Sequence, residues 1–375
     1  MTLAARIPAY PWDDLAPLKE KAHSFPGGAV DLSLGSPVDP VPPVVQEALA
    51  AAANAPGYPM TAGTPELREA AAAWLARTLD VHVPPSAVLP VVGTKEFIAW
   101  LPTQLGLSAG DTVIYPELAY PTYAVGAQLA GAAPVASDDV ASARTNTAGS
   151  NTGGPAKLAW INSPSNPTGR VLPAAALRAA VEQARSRGCL LASDECYITL
   201  GWETTPVSVL HESVRGDSLS GVLSVFSLSK RSNLAGYRAG FVVGDPDLIA
   251  QLLLIRKQSG VIVPKPVQAA LTAALSDDIH ADEQKERYRA RREILRAGLE
   301  AAGFRIEHSE AGLYLWAARP GLTGRAATEL LATECGLIVG PGHYYGEAGE
   351  PYIRIALTAT DERVRVASER LRALH

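Results

Sequence analysis

Between residues 88 and 243 short apolar blocks alternate with stretches of helical period. The blocks at 88–92, 112–115, 157–161, 189–193, 222–226 and 240–243 are apolar almost throughout, with little in/out alternation. Strands have this character when helices cover both faces of their sheet. Helices are predicted between them. Thr64 and Pro65 suit an N-cap followed by proline at the first helical position, and Leu67, Ala71, Trp74, Leu75 and Leu79 then share one face. Another helix opens at Pro173 and ends at Gly188. The alternation predicts an α/β fold: a large domain with a mostly parallel mixed sheet flanked by helices.

From about residue 255 the pattern changes. A long charged helix, about 282–303, precedes "FRIEHSEAGLYLWAAR" (304–319), which alternates like sheet. Another helix, a strand at 352–357 standing apart in the sequence, and a terminal helix follow. This predicts a smaller α+β domain, which the proline-rich residues 1–40 are expected to cross over and join. The expected division is 41–255 for the large domain and 1–40 with 256–375 for the small one. "SARTNTAGSNTGGP" (142–155) reads as an exposed loop, and the Arg/Glu run at 282–300 as a solvated helix face.

Composition narrows the class. A net charge of −5 argues against a nucleic-acid or anionic-membrane surface. No apolar run approaches the roughly 20 residues of a membrane helix. Prolines and acids interrupt "MTLAARIPAYPWDDL" too early for a signal peptide, so a cytoplasmic protein is expected. Cys189, Cys196 and Cys335 have neither metal-ligand nor disulfide-framework spacing and read as reduced thiols. The scattered histidines offer no metal site. "GPGHYYG" (340–346) lacks the context of a dinucleotide fingerprint. It is expected to border the substrate side, with Tyr344 or Tyr345 within reach of a ligand.

Polar residues gather at the strand ends. Gly93, Thr94 and Lys95 follow the first predicted strand, Tyr120 the second, Asn166 the third, Asp194 the fourth, and Ser227, Ser229 and Lys230 the fifth. Ligands of open α/β sheets bind just beyond the carboxyl ends of strands. Each residue also has a plainer reading: Asp194 as a helix N-cap, Asn166 as a turn residue before Pro167, Tyr120 as core, Lys230 and Arg238 as surface charges. Together they suit one cofactor, pyridoxal 5′-phosphate. It needs a lysine for a Schiff base, a carboxylate at the pyridinium nitrogen, and an anion cradle of backbone N–H groups with a cation. Arg354 interrupts an apolar strand in "YIRIAL", where a charge is costly unless paired. A bidentate clamp on a substrate carboxylate accounts for it.

The chain resembles the fold-type-I pyridoxal-phosphate aminotransferases of class I/II over nearly its whole length. "SLSKRSNLAGYRAG", "NPTG", "DECY", "GYPMTAGTPELREA" and "YIRIAL" carry the resemblance in the family's order and approximate spacing. It implies that Lys230 bonds the cofactor's aldehyde, that Asp194 faces the ring nitrogen, and that Tyr197 and Asn166 hydrogen-bond the phenolic oxygen. Tyr120 would stack on the ring. Thr94, the Lys95 amide, Ser227, Ser229 and Arg238 would hold the phosphate. Arg354, with Asn166 and the Gly35 backbone nearby, would receive the substrate carboxylate. Tyr58 would reach the phosphate of a partner subunit, implying a homodimer with shared sites.

The expected reaction is transfer of an amino group between an amino acid and a 2-oxo acid, 2-oxoglutarate being the expected acceptor. Within the family the N-terminal segment and "GTKEFIAWLPTQLGL" are most similar to actinobacterial-type N-succinyldiaminopimelate aminotransferases of lysine biosynthesis. Aspartate, aromatic and LL-diaminopimelate aminotransferases, and C–S lyases on the same scaffold, remain alternatives. So does cyclopropane-forming chemistry. The effector half of a transcription regulator is disfavoured, because no basic helix-turn-helix precedes the fold. Arg256, Lys257 and Lys265 are the candidates for a second, side-chain-directed cation.

Overall fold

A seven-stranded mixed sheet organises the computed structural model, which describes residues 2–140 and 154–374. Its strands are β1 (Val88–Val91), β2 (Thr112–Tyr115), β3 (Ala133–Ala136), β4 (Ala156–Asn162), β5 (Leu190–Asp194), β6 (Val222–Ser227) and β7 (Gly240–Gly244). The spatial order is β1-β7-β6-β5-β4-β2-β3. β2 to β6 pair in parallel, and β7 runs antiparallel to both of its neighbours. This is the α/β fold expected. β3 escaped the sequence reading: "APVA" is short, holds a proline and lies at the sheet edge, where side chains are only partly covered.

The near-continuous apolar character has the predicted cause. One face of the sheet packs Trp74, Phe226, Phe241 and Leu271, and the other packs Phe97, Tyr123, Trp160 and Leu252. Thr64 caps the helix Pro65–Leu79 by accepting from the Leu67 amide at 3.2 Å. The predicted loop at 142–155 lies almost wholly outside the described residues.

The second core gathers Leu295, Leu299, Phe304, Leu315, Ile353, Ile355 and Val364. Its antiparallel sheet runs Gly340–Pro341, Tyr352–Ala356, Tyr314–Ala318, Arg305–Ile306. Part of the N-terminal segment packs on this side: Val30–Asp31 pairs with Leu337–Ile338, and Leu15 and Leu18 pack on Ala332 and Ile338, while the turn Leu3–Arg6 lies against helix Thr122–Ala130. One helix beyond the division expected at 255/256 packs on the large-sheet side. Helix Lys265–Ser276 buries Ala270, Leu271 and Leu275 in the first core, against helices Pro43–Ala51 and Pro65–Leu79.

The charged run also needs correction. Arg291 and Arg292, on helix Ile279–Ala301, are buried. Arg291 forks onto both oxygens of Asp39 at 2.6 and 2.7 Å and bonds Asp361 at 2.7 Å, while Arg292 meets Glu203 and the Ser309 carbonyl. The helix lies between the crossover segment and the 307–313 hairpin loop, so these two arginines find partners distant in sequence, while Arg289 and Arg296 also pair along the helix with Glu286 and Glu300. Tyr288 on the same helix donates to the Lys230 carbonyl at 3.2 Å, which ties the second core to the loop bearing that lysine.

Candidate active site

β1, β2, β4, β5 and β6 all finish on one edge of the sheet, and β7, running oppositely, starts there. Residues after five strands and before a sixth therefore converge on one cavity of about 1180 Å³. It is lined by Gly35, Thr94, Lys95, Tyr120, Asn166, Asp194, Tyr197, Ser227, Ser229, Lys230, Arg238 and Arg354, which are all of the expected residues except Tyr58. Tyr58 lies outside it, fully exposed.

At the β1 end, Gly93 has φ +79° and opens helix Thr94–Gln104. The positive φ favours glycine, and the Arg238 guanidinium lies close by, with a nitrogen 2.5 Å from where a Cβ would stand. Ser227 caps the short turn Leu228–Arg231, accepting from the Ser229 amide at 3.2 Å. Free helix-start amides, serine and threonine hydroxyls and a guanidinium together make an anion cradle.

Lys230 stands within the turn beside this cradle. Burial lowers its pKa, Arg354 and Arg238 add to the lowering, and Tyr314 and Cys196 oppose it. Asp194, 6% exposed, ends β5. Its Oδ1 accepts from the Cys196 amide at 3.1 Å and its Oδ2 from the Tyr123 hydroxyl at 2.8 Å. Burial raises its pKa and these bonds partly offset the rise. Asn162 donates to the Asp194 carbonyl at 2.8 Å and accepts from the Asn166 amide at 2.7 Å, so one side chain fixes two neighbouring site loops.

Arg354 comes from the other core. Its guanidinium is buried, donating to Asn166 Oδ1 at 2.8 Å and the Ser33 carbonyl at 2.7 Å, and stacking over Tyr314 at 3.9 Å. Its Nε has no partner, and among the described residues no carboxylate pairs with it. A buried cation left so is a receptor for an anion. Gly35 packs on the same tyrosine: a Cβ would lie 2.2 Å from the Tyr314 hydroxyl.

The residues present fit pyridoxal phosphate: an amine of lowered pKa, a buried carboxylate, the glycine-opened cradle and a partly buried aromatic at Tyr120 face one space. Sequence reasoning missed Tyr314, whose hydroxyl lies 3.2 Å from that of Tyr197, and the N-terminal Tyr10 and Trp12, which also line the cavity. Nothing local marks them, since they arrive from segments far apart in the chain. Of the candidate second cations, Arg256 is buried over Phe97 and pairs with Glu96 at 3.1 Å, and neither it, Lys257 nor Lys265 lines the cavity. Among the described residues no group of side chains has the arrangement of a metal site, and no helix is long and apolar enough to cross a membrane.

Comparison with known proteins agrees with this geometry. Residues 28–371 match the family of aminotransferases of class I and II. The chain is 57% identical to the 4-dedimethylamino-4-oxo-anhydrotetracycline transaminase OxyQ of Streptomyces rimosus, over 97% of this chain and 99% of that one. It is 55% identical to the probable aminotransferase Rv1178 of Mycobacterium tuberculosis, over 98% and 86%. A structure of a probable N-succinyldiaminopimelate aminotransferase from Thermus thermophilus superposes with a TM-score of 0.84 at 27% identity, covering 98% of this chain and all of that one. By its sequence, its fold and the residues gathered at its sheet edge, this chain belongs to the pyridoxal-phosphate-dependent aminotransferases of class I and II.

Proposed function

We propose that this aminotransferase works by a ping-pong cycle between glutamate/2-oxoglutarate and a larger amino acid. N-succinyl-LL-2,6-diaminopimelate, of lysine and diaminopimelate biosynthesis, is the best candidate for the larger substrate. The carrying observation is Arg354, a buried guanidinium with a free Nε and no protein anion. An α-carboxylate completes it. Besides Lys230, Arg238 and Arg354, Lys95 is the one cation among the described cavity residues, and its Nζ lies 5.2 Å from the Tyr10 ring centre. Two cations on the substrate side suit molecules with a carboxylate at each end.

Bound pyridoxal phosphate supplies a ring that draws off the electron pair left when the substrate's Cα–H bond breaks. Lys230, whose pKa burial lowers, would attack a carbonyl and later carry the α-proton. Asp194 holds positive charge at the ring nitrogen. Asn166 spends its Oδ1 on Arg354, which leaves its amide N–H groups, with the Tyr197 hydroxyl, for the phenolic oxygen. Tyr120 restrains the ring. Thr94, Ser227, Ser229, Arg238 and the Lys95 amide bind the phosphate.

One observation favours a second reading. Tyr10, Trp12 and Tyr344 make an aromatic wall on the substrate side, with Trp12 and Tyr344 ring centres 5.7 Å apart. A flat ring ketone, such as the oxo-anhydrotetracycline for which OxyQ is named, would stack on it. Mixing holoenzyme with single amino donors decides between them. Loss of the cofactor's visible absorbance with glutamate and the succinylated compound, but not with aspartate, is expected. Amination of a polycyclic ketone with no response to the succinylated compound would give the second reading. Release of pyruvate without an oxo-acid acceptor would instead mark a C–S lyase.

The active assembly is a homodimer in this reading, with Tyr58 completing the partner's phosphate cradle. Full exposure of Tyr58, with Met60 at 53% and Leu254 at 59%, supports it. Sedimentation should give a dimer, and Tyr58→Phe should weaken cofactor affinity about tenfold, the scale of one hydrogen bond to a charged group. A monomer with full activity would overturn it.

A further inference from the structure

Tyr123 has no part in the scheme above, yet it touches the residue the ring chemistry depends on. It is fully buried, in helix Thr122–Ala130, and its hydroxyl donates to Asp194 Oδ2 at 2.8 Å. Its ring stacks on Trp160 at 5.1 Å and 23° and meets Tyr120 edge-on at 5.9 Å and 86°. The phenol therefore has one orientation. Packing alone would be served by phenylalanine; a buried hydroxyl is costly unless bonded, and here its partner is a carboxylate.

We propose that Tyr123 is a positioning residue that holds the Asp194 carboxylate ionised and aimed at the cofactor's ring nitrogen. Among the described residues no cation pairs with Asp194, so its negative charge is held by neutral donors: the Tyr123 hydroxyl on Oδ2, the Cys196 amide on Oδ1, and the Cys196 thiol beside them. Each oxygen keeps a lone pair for the ring N–H. A neutral donor stabilises the carboxylate without competing for the positive ring, as a lysine or arginine would. Without the phenol the carboxylate becomes more basic, and the proton shared with the ring nitrogen moves toward it. The ring then loses positive charge and withdraws electrons less strongly. The inference rests on the proposed placement of Asp194 at that nitrogen.

The test is holoenzyme carrying cofactor labelled with nitrogen-15 in the ring, compared among wild type, Tyr123→Phe and Asp194→Asn. Tyr123→Phe should shift the ring-nitrogen resonance toward the unprotonated position. It should also raise the midpoint of the cofactor's visible absorbance titration, and lower kcat about 10- to 100-fold with KM little changed. 3-Fluorotyrosine at position 123, a stronger donor of nearly the same shape, should move resonance and midpoint the opposite way, which keeps the test available if the phenylalanine variant folds poorly. An unmoved resonance and midpoint in both position-123 variants, with a response to Asp194→Asn, would overturn the role of Tyr123 alone. No response to Asp194→Asn either would overturn the placement of Asp194 and the inference with it.

Discussion

Lys230→Ala should lower transamination by roughly 10⁴-fold or more while leaving the fold intact. Covalent capture and proton transfer pass through the same amine, and general acid–base catalysis alone contributes about 10²–10⁴-fold. Structural damage should be small. Among the described residues no carboxylate pairs with the Lys230 amine, the turn that carries it is capped by Ser227, and its carbonyl is held by Tyr288. Near-wild-type melting temperature and cofactor retention through the phosphate cradle, with turnover lost, is the expected combination. Activity within tenfold of wild type would mean that another amine does the chemistry.

Arg354→Ala should lower kcat/KM for glutamate by about 10²–10³-fold, chiefly through KM, the range expected when one partner of a buried charge-assisted contact is removed. The guanidinium bridges the two halves of the molecule, since it sits on the small sheet and donates to Asn166 Oδ1 and the Ser33 carbonyl. Arg354→Lys should recover only part of the loss, because an ammonium keeps the charge but cannot fork onto a carboxylate while holding Asn166. Competition binding of 2-oxoglutarate to each variant separates lost recognition from lost folding. Unchanged affinity in Arg354→Ala would place the carboxylate site elsewhere.

The large sheet was legible because its strands other than β3 are largely apolar on both faces and alternate with segments of helical period. The site was legible for a related reason. In a nearly parallel sheet the strand ends share one edge, so Thr94, Tyr120, Asn166, Asp194 and Lys230 could be placed together without knowing a single distance. Arg238 joined them because β7 runs backward and begins at that edge. What stayed hidden depends on contacts between distant segments. Tyr314 and Arg354 are brought together by the register of the small sheet, where Tyr314 opposes Ala356 and Trp316 opposes Arg354. Arg291 looks like any charged helix residue until Asp39, far along the chain, is seen beneath it. Helix Lys265–Ser276 packs on the first core although it follows the expected division, because an amphipathic helix does not announce which apolar surface it covers. Tyr123 stood in plain view in "YPTY", but a buried tyrosine's partner cannot be read from its neighbours.

The central claim is that one amine, Lys230, bonds the cofactor. Reducing the holoenzyme with borohydride, digesting it and mapping the pyridoxyl group by mass spectrometry tests this directly. The group should be found on Lys230 alone, and should vanish when the enzyme is first converted to its aminated form with glutamate. A pyridoxyl group on Lys95 or another lysine, or none at all in an active preparation, would contradict the account.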